Sequence, residues 1–222
     1  MPRIPENINF VHLVAGLILL LFAGALLEYF PGTAGPRIIQ ATTVAVLLIG
    51  AWSLKGNRSR FVAIIAFVLL MILVIASSSL LEKAGFGYLH LLMLLCFFIW
   101  VTCVVARKVL FTGSITGNEI VGAICIYMLL GLIWAMLYLL IAEVVPGAFN
   151  GLPHAPWLEN ISAAIYFSFV TITTLGYGDI SPVLPLARFL VYMEAITGVF
   201  YMAVLVASLI GVRLSDRDAA SK

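Results

Sequence analysis

The chain has 222 residues, 64% of them hydrophobic and only 10% charged, with a mean hydropathy of +1.17 and a formal net charge of +2. So few polar residues cannot cover a water-facing surface, which excludes a soluble domain. The near-balanced charge gives no sign of a nucleic-acid or acidic partner.

Apolar stretches near the 20 or so residues that cross a bilayer run from Ile8 to Phe30, Arg37 to Leu54, Phe61 to Leu81, Phe86 to Ala106, Glu119 to Val144 and Leu184 to Val212. Six spans are expected. The first is longer than the core of a secretory signal and is preceded only by Arg3, so it reads as a retained helix. Basic residues fix the orientation. With the N-terminus in the cytoplasm, Arg3, Lys55, Arg58, Arg60, Arg107, Lys108, Arg213, Arg217 and Lys222 fall inside, and only Arg37, Lys83 and Arg188 fall outside. Short connections make the first four spans a compact antiparallel bundle. Cys96, Cys103 and Cys125 lie within apolar runs without metal-ligand spacing and read as small packing residues. No nucleophile and base pair or phosphate loop is present, so an enzyme is not expected.

After a Pro/Gly-rich outer loop, Pro146 to Pro156, the stretch Trp157 to Thr171 is too short to cross. About 15 residues at 1.5 Å each reach some 22 Å, so this helix enters from outside and stops part-way. Its carbonyl end, the negative end of its dipole, then faces inward and favours a cation. Glu159 suits its outer start electrostatically, and Asn160 or Ser162 is placed to cap it. Then comes Thr171-Ile172-Thr173-Thr174-Leu175-Gly176-Tyr177-Gly178-Asp179. Backbone that is neither helix nor barrel is tolerated at membrane depth only where protein buries it or where it lines a watery path. Successive carbonyls point one way when right- and left-handed conformations alternate, and Gly176 and Gly178 stand where that alternation needs glycine. Several copies around an axis would stack rings of oxygens able to replace the water shell of a cation.

At Thr174-Leu175-Gly176-Tyr177-Gly178-Asp179 the chain resembles the potassium channel superfamily, whose filter reads Thr-Val-Gly-Tyr-Gly followed by Asp. The resemblance runs from Asn160 to Gly211, and Leu175 in place of the usual valine is the one departure within the filter. It implies an all-α membrane protein with six transmembrane helices, a re-entrant pore helix and a selectivity-filter loop, assembled as a homotetramer. Potassium ions would bind at Thr174, Leu175, Gly176, Tyr177 and Gly178, with no organic cofactor. Thr173 and Asp179 would support the filter, and Tyr166 and Phe167 stand where the family places bracing rings, ordinary helix packing being the alternative. Val170 replaces a glutamate that some members bury there, which leaves Asp179 to find a partner in Tyr166, Trp157 or water. Gly198 matches the family's hinge glycine, with close helix packing as its other reading. The implied organisation is a sensor-like four-helix bundle over 1–106, a linker over 107–118, a pore domain over 119–212 and a short tail over 213–222.

Voltage-gated members carry a basic residue at every third position of the fourth span, whereas here that span holds only His90, with Arg107 and Lys108 at its inner end. One elementary charge crossing the field is worth about 2.3 kcal/mol per 100 mV, so a span without charge has little to move and steep voltage gating is not expected. His90 reads as a hydrogen-bonded interfacial residue or, alternatively, a pH sensor. Arg188, near the outer mouth, is expected to pair with an acidic neighbour or a lipid headgroup. Thr197, Tyr201, Leu205, Ser208 and Leu209 share a stripe that could line the cavity. Glu194 is a carboxylate deep in an apolar helix, which marks it as functional. It is expected either to accept hydrogen bonds from Ser168 or Thr171 and hold the filter's scaffold, or to face the cavity and concentrate cations.

Only Arg213 to Lys222 follow the last span, so no ligand-binding cytoplasmic domain is expected, and the gating stimulus and any regulatory partner stay open. The sum is a passive potassium channel of a prokaryotic inner membrane, both termini cytoplasmic, in contact with lipid. A weakly selective cation channel of the same architecture is the alternative. A secondary transporter, which would show paired broken helices, is the remote one.

Overall fold

The computed structural model describes residues 10–26, 41, 66–74, 84–111 and 117–220. All of the expected second span but residue 41, both ends of the first and third, the turn-rich 112–116, and Arg3, Arg37, Lys55, Arg58, Arg60, Lys83 and Lys222 lie outside the described residues. Five helices are named here: α1 (Phe10–Leu26), α2 (Ala84–Phe111), α3 (Gly117–Val144), α4 (Trp157–Ile172) and α5 (Pro185–Ala220). Residues 66–74 are also helical. Among the described residues, three stretches are long and apolar enough to cross a membrane: Gly87–Val109, Gly117–Val144 and Pro185–Leu205. α1 and α4 are apolar but shorter, at 17 and 16 residues.

Contacts at the helix ends fix the relative directions. The Phe10 N–H at the start of α1 donates to Asn118 Oδ1 at the start of α3, 3.1 Å away, so these two helices run in the same sense. Tyr88 near the start of α2 donates its hydroxyl to the Glu143 carbonyl at the far end of α3, 3.3 Å away, so α2 runs back against it. The opposed senses of α1 and α2 are those expected of a first and a fourth span.

One apolar core joins these elements. Phe10, Leu13 and Leu17 of α1, Met71 of the helical residues 66–74, Leu91, Leu94 and Phe98 of α2, Leu129 and Leu132 of α3 and Ile161 and Ala164 of α4 share it. The first helix and α2 thus pack directly on α3, and α1 also reaches α4, all within one chain. Close approach depends on absent side chains. A Cβ at Gly122 would overlap Phe10 and Val109, and one at Gly131 would come within 2.9 Å of the Phe169 ring. A second cluster, Tyr138, Ala148, Phe149, Phe167, Ile180 and Ala187, sits at the other end of α3.

Two sequence expectations change here. His90 is buried, its ring edge-on to Trp157 with centroids 5.0 Å apart, and its Nε2 has no hydrogen-bond partner among the described residues, so it is a packed residue without the expected hydrogen bond at that atom. Of the cysteines only Cys125 packs in the core, its thiol directed at the Phe10 carbonyl; Cys96 and Cys103 are exposed on the outward face of α2.

Candidate functional site

The polar loop begins where α4 stops. Pro156 precedes the helix with φ −52° and ψ 144° and no side-chain cap, because its ring carries no hydrogen-bond acceptor. Asn160, expected as a cap, instead donates Nδ2 to the Pro153 and Ala155 carbonyls and fastens the preceding loop.

The last carbonyls of a helix have no partner within it, and here each finds one. Phe169 O accepts from the Thr173 N–H and hydroxyl, Thr171 O from the Thr174 N–H, and Val170 O from the N–H groups of Leu175 and Gly176. Ile172 O accepts the Tyr127 hydroxyl of α3 at 3.0 Å. The loop is thereby strung from the end of α4 before it extends.

From there the backbone alternates. Along residues 173–179 φ is positive at Thr174 (62°), Gly176 (58°) and Gly178 (83°), with Leu175 and Tyr177 between them outside that region. This every-other-residue pattern is the one that sends successive carbonyls to the same side. Two of its three left-handed positions are the glycines read from the sequence. The third, Thr174, is a residue for which that conformation costs on the order of 1–3 kcal/mol and which concentrates at functional sites. All of Thr173 to Asp179 is exposed in the single chain, Leu175 at 59% and Tyr177 at 68%.

The two rings expected behind the loop have different jobs. Tyr166 is 40% exposed and interacts with Asp179, whereas Trp157 is buried against His90. Phe167 instead joins Tyr138 (centroids 5.1 Å) and Phe149 (5.8 Å), tying α4 to α3 and the outer loop. That loop in turn grips the far end of the polar stretch 173–179. β1 (Phe149–Asn150) pairs antiparallel with β2 (Ser181–Pro182), Phe149 opposite Pro182 and Asn150 opposite Ser181. The Val183 N–H donates to Ala148 O at 2.9 Å, and Gly151, with φ +82°, lies so close to Asp179 that an added Cβ would overlap its carbonyl oxygen. The sequence reading missed this clamp; its signal was the glycine pair Gly147 and Gly151 in an otherwise ordinary turn segment.

Glu194 is wholly buried, at 0% exposure, which removes the cavity-facing reading. Its Oε1 lies 2.5 Å from Ser168 Oγ, as one expectation had it, and its Oε2 is hydrogen-bonded by the Tyr138 hydroxyl where Thr171 had been the other candidate. Ser168 Oγ also lies 2.7 Å from Gly131 O. α3, α4 and α5 therefore meet at one polar node.

Gly198 has a packing reason to be glycine. A Cβ there would overlap the Ile172 carbonyl oxygen, the same atom that Tyr127 caps. Tyr201 leaves the expected cavity stripe: it stacks on Tyr127 with centroids 5.7 Å apart and donates to Ala123 O at 2.6 Å, both on α3. Thr197 and Ser208 each return their hydroxyl to their own helix, at Met193 O and Val204 O, while Leu205 is half-buried. The side chain of Leu209 lies outside the described residues. Arg188 is exposed and donates Nε to Pro182 O at 3.4 Å rather than to an acidic side chain.

Comparison with known proteins places this geometry. Residues 122–213 match the family model described as ion channel. The chain is 34% identical over 94 residues to the inward rectifier potassium channel Kirbac3.1 of Paramagnetospirillum magnetotacticum, covering 42% of this chain and 29% of that one. It is 39% identical over 56 residues to the voltage-gated potassium channel Kch of Escherichia coli (strain K12), covering 25% of this chain and 13% of that one. The matches thus span less than a third of the length of either relative. No solved structure matches. Both relatives are named as channels and not as enzymes. With its membrane-length apolar helices, the chain is a transmembrane protein whose residues 122–213 are related to ion channels, and its resemblance to the potassium channel superfamily stands.

Proposed function

We propose that four copies of this chain form a potassium-selective channel, with residues 173–179 of each meeting on a shared axis. The observation that carries this reading is the loop itself: a non-helical segment, exposed along its whole length in the single chain, between helices that belong in lipid. Such backbone needs protein or water around it, and a ring of copies supplies both. The alternation of φ at Thr174, Gly176 and Gly178 gives each copy a ladder of oxygens suited to a dehydrated monovalent cation. A closed ring of identical subunits is the ordinary way to build such an axis; the filter motif, by its resemblance to the potassium channel superfamily, supports four copies, and two relatives named as potassium channels support potassium as the ion. The exposed face of α5, with Phe189, Tyr192, Ile196, Val199 and Phe200, provides apolar area for neighbours and lipid to cover.

In this reading the potassium sites are Thr174 to Gly178, with Thr173, Asp179, Tyr166 and Glu194 as supports, in an inner membrane with both termini cytoplasmic. Gly198 serves as the packing point of α5 on the filter helix, and any bending of α5 there must first release the Ile172 carbonyl. Conduction is not steeply voltage-dependent, because α2 carries no lysine or arginine before Arg107. Reversal potentials in mixed potassium and sodium test the proposal: a shift that follows the potassium gradient alone supports it. A reversal indifferent to exchanging the two ions would leave only the weakly selective channel.

A further inference from the structure

The hydrogen bonds around Glu194 can be counted proton by proton. Three oxygen pairs lie within bonding distance: Tyr138 Oη with Glu194 Oε2, Glu194 Oε1 with Ser168 Oγ at 2.5 Å, and Ser168 Oγ with Gly131 O at 2.7 Å. Each needs one hydrogen. A tyrosine and a serine hydroxyl bring one each, and a carbonyl or an ionised carboxylate brings none. With Glu194 ionised, two hydrogens must serve three contacts. Ser168 would turn to the carboxylate and leave its oxygen facing the Gly131 carbonyl at 2.7 Å with nothing between them. With Glu194 protonated the count closes: Tyr138 donates to Glu194, Glu194 to Ser168, and Ser168 to Gly131 O.

The surroundings favour the same assignment. From Gly117 to Ile172, which includes both helices packed on α5 at this point, the chain contains no lysine or arginine, and its only histidine is His154 in the outer loop. The charged residues of those helices stand near their ends: Glu119 and Glu143 on α3, Glu159 on α4. On α5, Arg188 is turned to Pro182 O. The titratable groups facing Glu194 are therefore Tyr138 and, farther off, Tyr127, neither of which is a cation at any pH. A buried carboxylate without a countercharge is costly, and one that is hydrogen-bonded as an acid is not. Because Glu194 is already enclosed by its own chain, copies added around it cannot bring a partner.

We infer that Glu194 is a neutral carboxylic acid that positions the filter helix α4 by donating its proton to Ser168, in a one-way chain from Tyr138 to the Gly131 carbonyl of α3. Its effect on ion flux rests on the channel reading above; its protonation does not.

The test uses the full chain reconstituted in lipid, with infrared spectra and potassium flux from the same preparations. Wild type at neutral pH should show the carbonyl stretch of a protonated acid, which disappears in Glu194→Gln and moves in Ser168→Ala. Glutamine offers an N–H toward Ser168 and an oxygen toward Tyr138, so Glu194→Gln should conduct at least about tenfold better than Glu194→Ala, the equivalent of one retained hydrogen bond. Should Glu194→Ala fail to assemble, the Gln variant and the infrared band still decide. An absent acid band in wild type, or a folded Glu194→Gln protein that conducts no better than the alanine variant, would overturn the inference. A clear acid band in a protein that passes no potassium would instead overturn the channel reading and leave Glu194 neutral.

Discussion

The exposed loop, read as the filter, and the node behind it are separated by one face of a single helix, yet on the channel reading they are complete at different levels of assembly. Thr173 to Asp179 are exposed throughout, with their strain at Thr174 and their oxygens unused by the chain that carries them. Ser168, Tyr138 and Glu194 are buried and bonded to one another without any other copy. On the channel reading the first region acts only when copies meet, and the second has to be right before they do. Substitutions in the loop should therefore change ion flux more than the stability of the single chain, and substitutions at the node should do the reverse.

The largest separation is expected at Gly176. Its φ of 58° suits glycine, and a Cβ there would touch nothing within 4 Å in the same chain. Gly176→Ala should abolish potassium flux while shifting unfolding by no more than the roughly 1–2 kcal/mol of a left-handed alanine. Flux and thermal melting on the same sample check this; equal damage to both would erase the contrast between the regions.

Gly198 is the sharpest case on the other side. Its Cβ would overlap a backbone oxygen and the Ile172 side chain, which cannot both move without shifting α4. Gly198→Val should cost about 1–3 kcal/mol as overpacking, read as a lower melting temperature in detergent before assembly. Ser168→Ala comes next, leaving Glu194 without one partner for about 1–3 kcal/mol. Tyr127→Phe is the mildest: it removes the bond to Ile172 O at a partly exposed site, for roughly 0.5–1.5 kcal/mol. If Tyr127→Phe reduced selectivity while leaving melting unchanged, the helix end would belong with the filter and not with its supports.

The contrast also explains what was legible beforehand. The filter could be read directly because its conformation is written in residue types: glycine at alternate positions, next to threonine, in a chain otherwise fit for lipid. Thr174 escaped because threonine does not advertise a positive φ. The half-length of α4 followed from counting residues against the bilayer. Glu194 drew notice as a carboxylate in an apolar helix, and one of its partners, Ser168, was reachable by the same reasoning. Tyr138 was not, since pairing across helices depends on register, although Tyr127 and Tyr138 are eleven residues apart and so fall within about 20° on one face of α3. Tyr201 was misassigned to the cavity because spacing along α5 gives a stripe but not the direction it faces. The clamp of β1 and β2 beside Asp179 left only the glycines Gly147 and Gly151 as a signal, because two-residue strands carry no periodicity to read.

A density map of the assembly in lipid and potassium tests the central claim most directly. It should show four copies whose residues 173–179 converge on one axis, with ion density between successive levels of their oxygens. A map in which each loop lies against its own subunit, with no common passage, would contradict it.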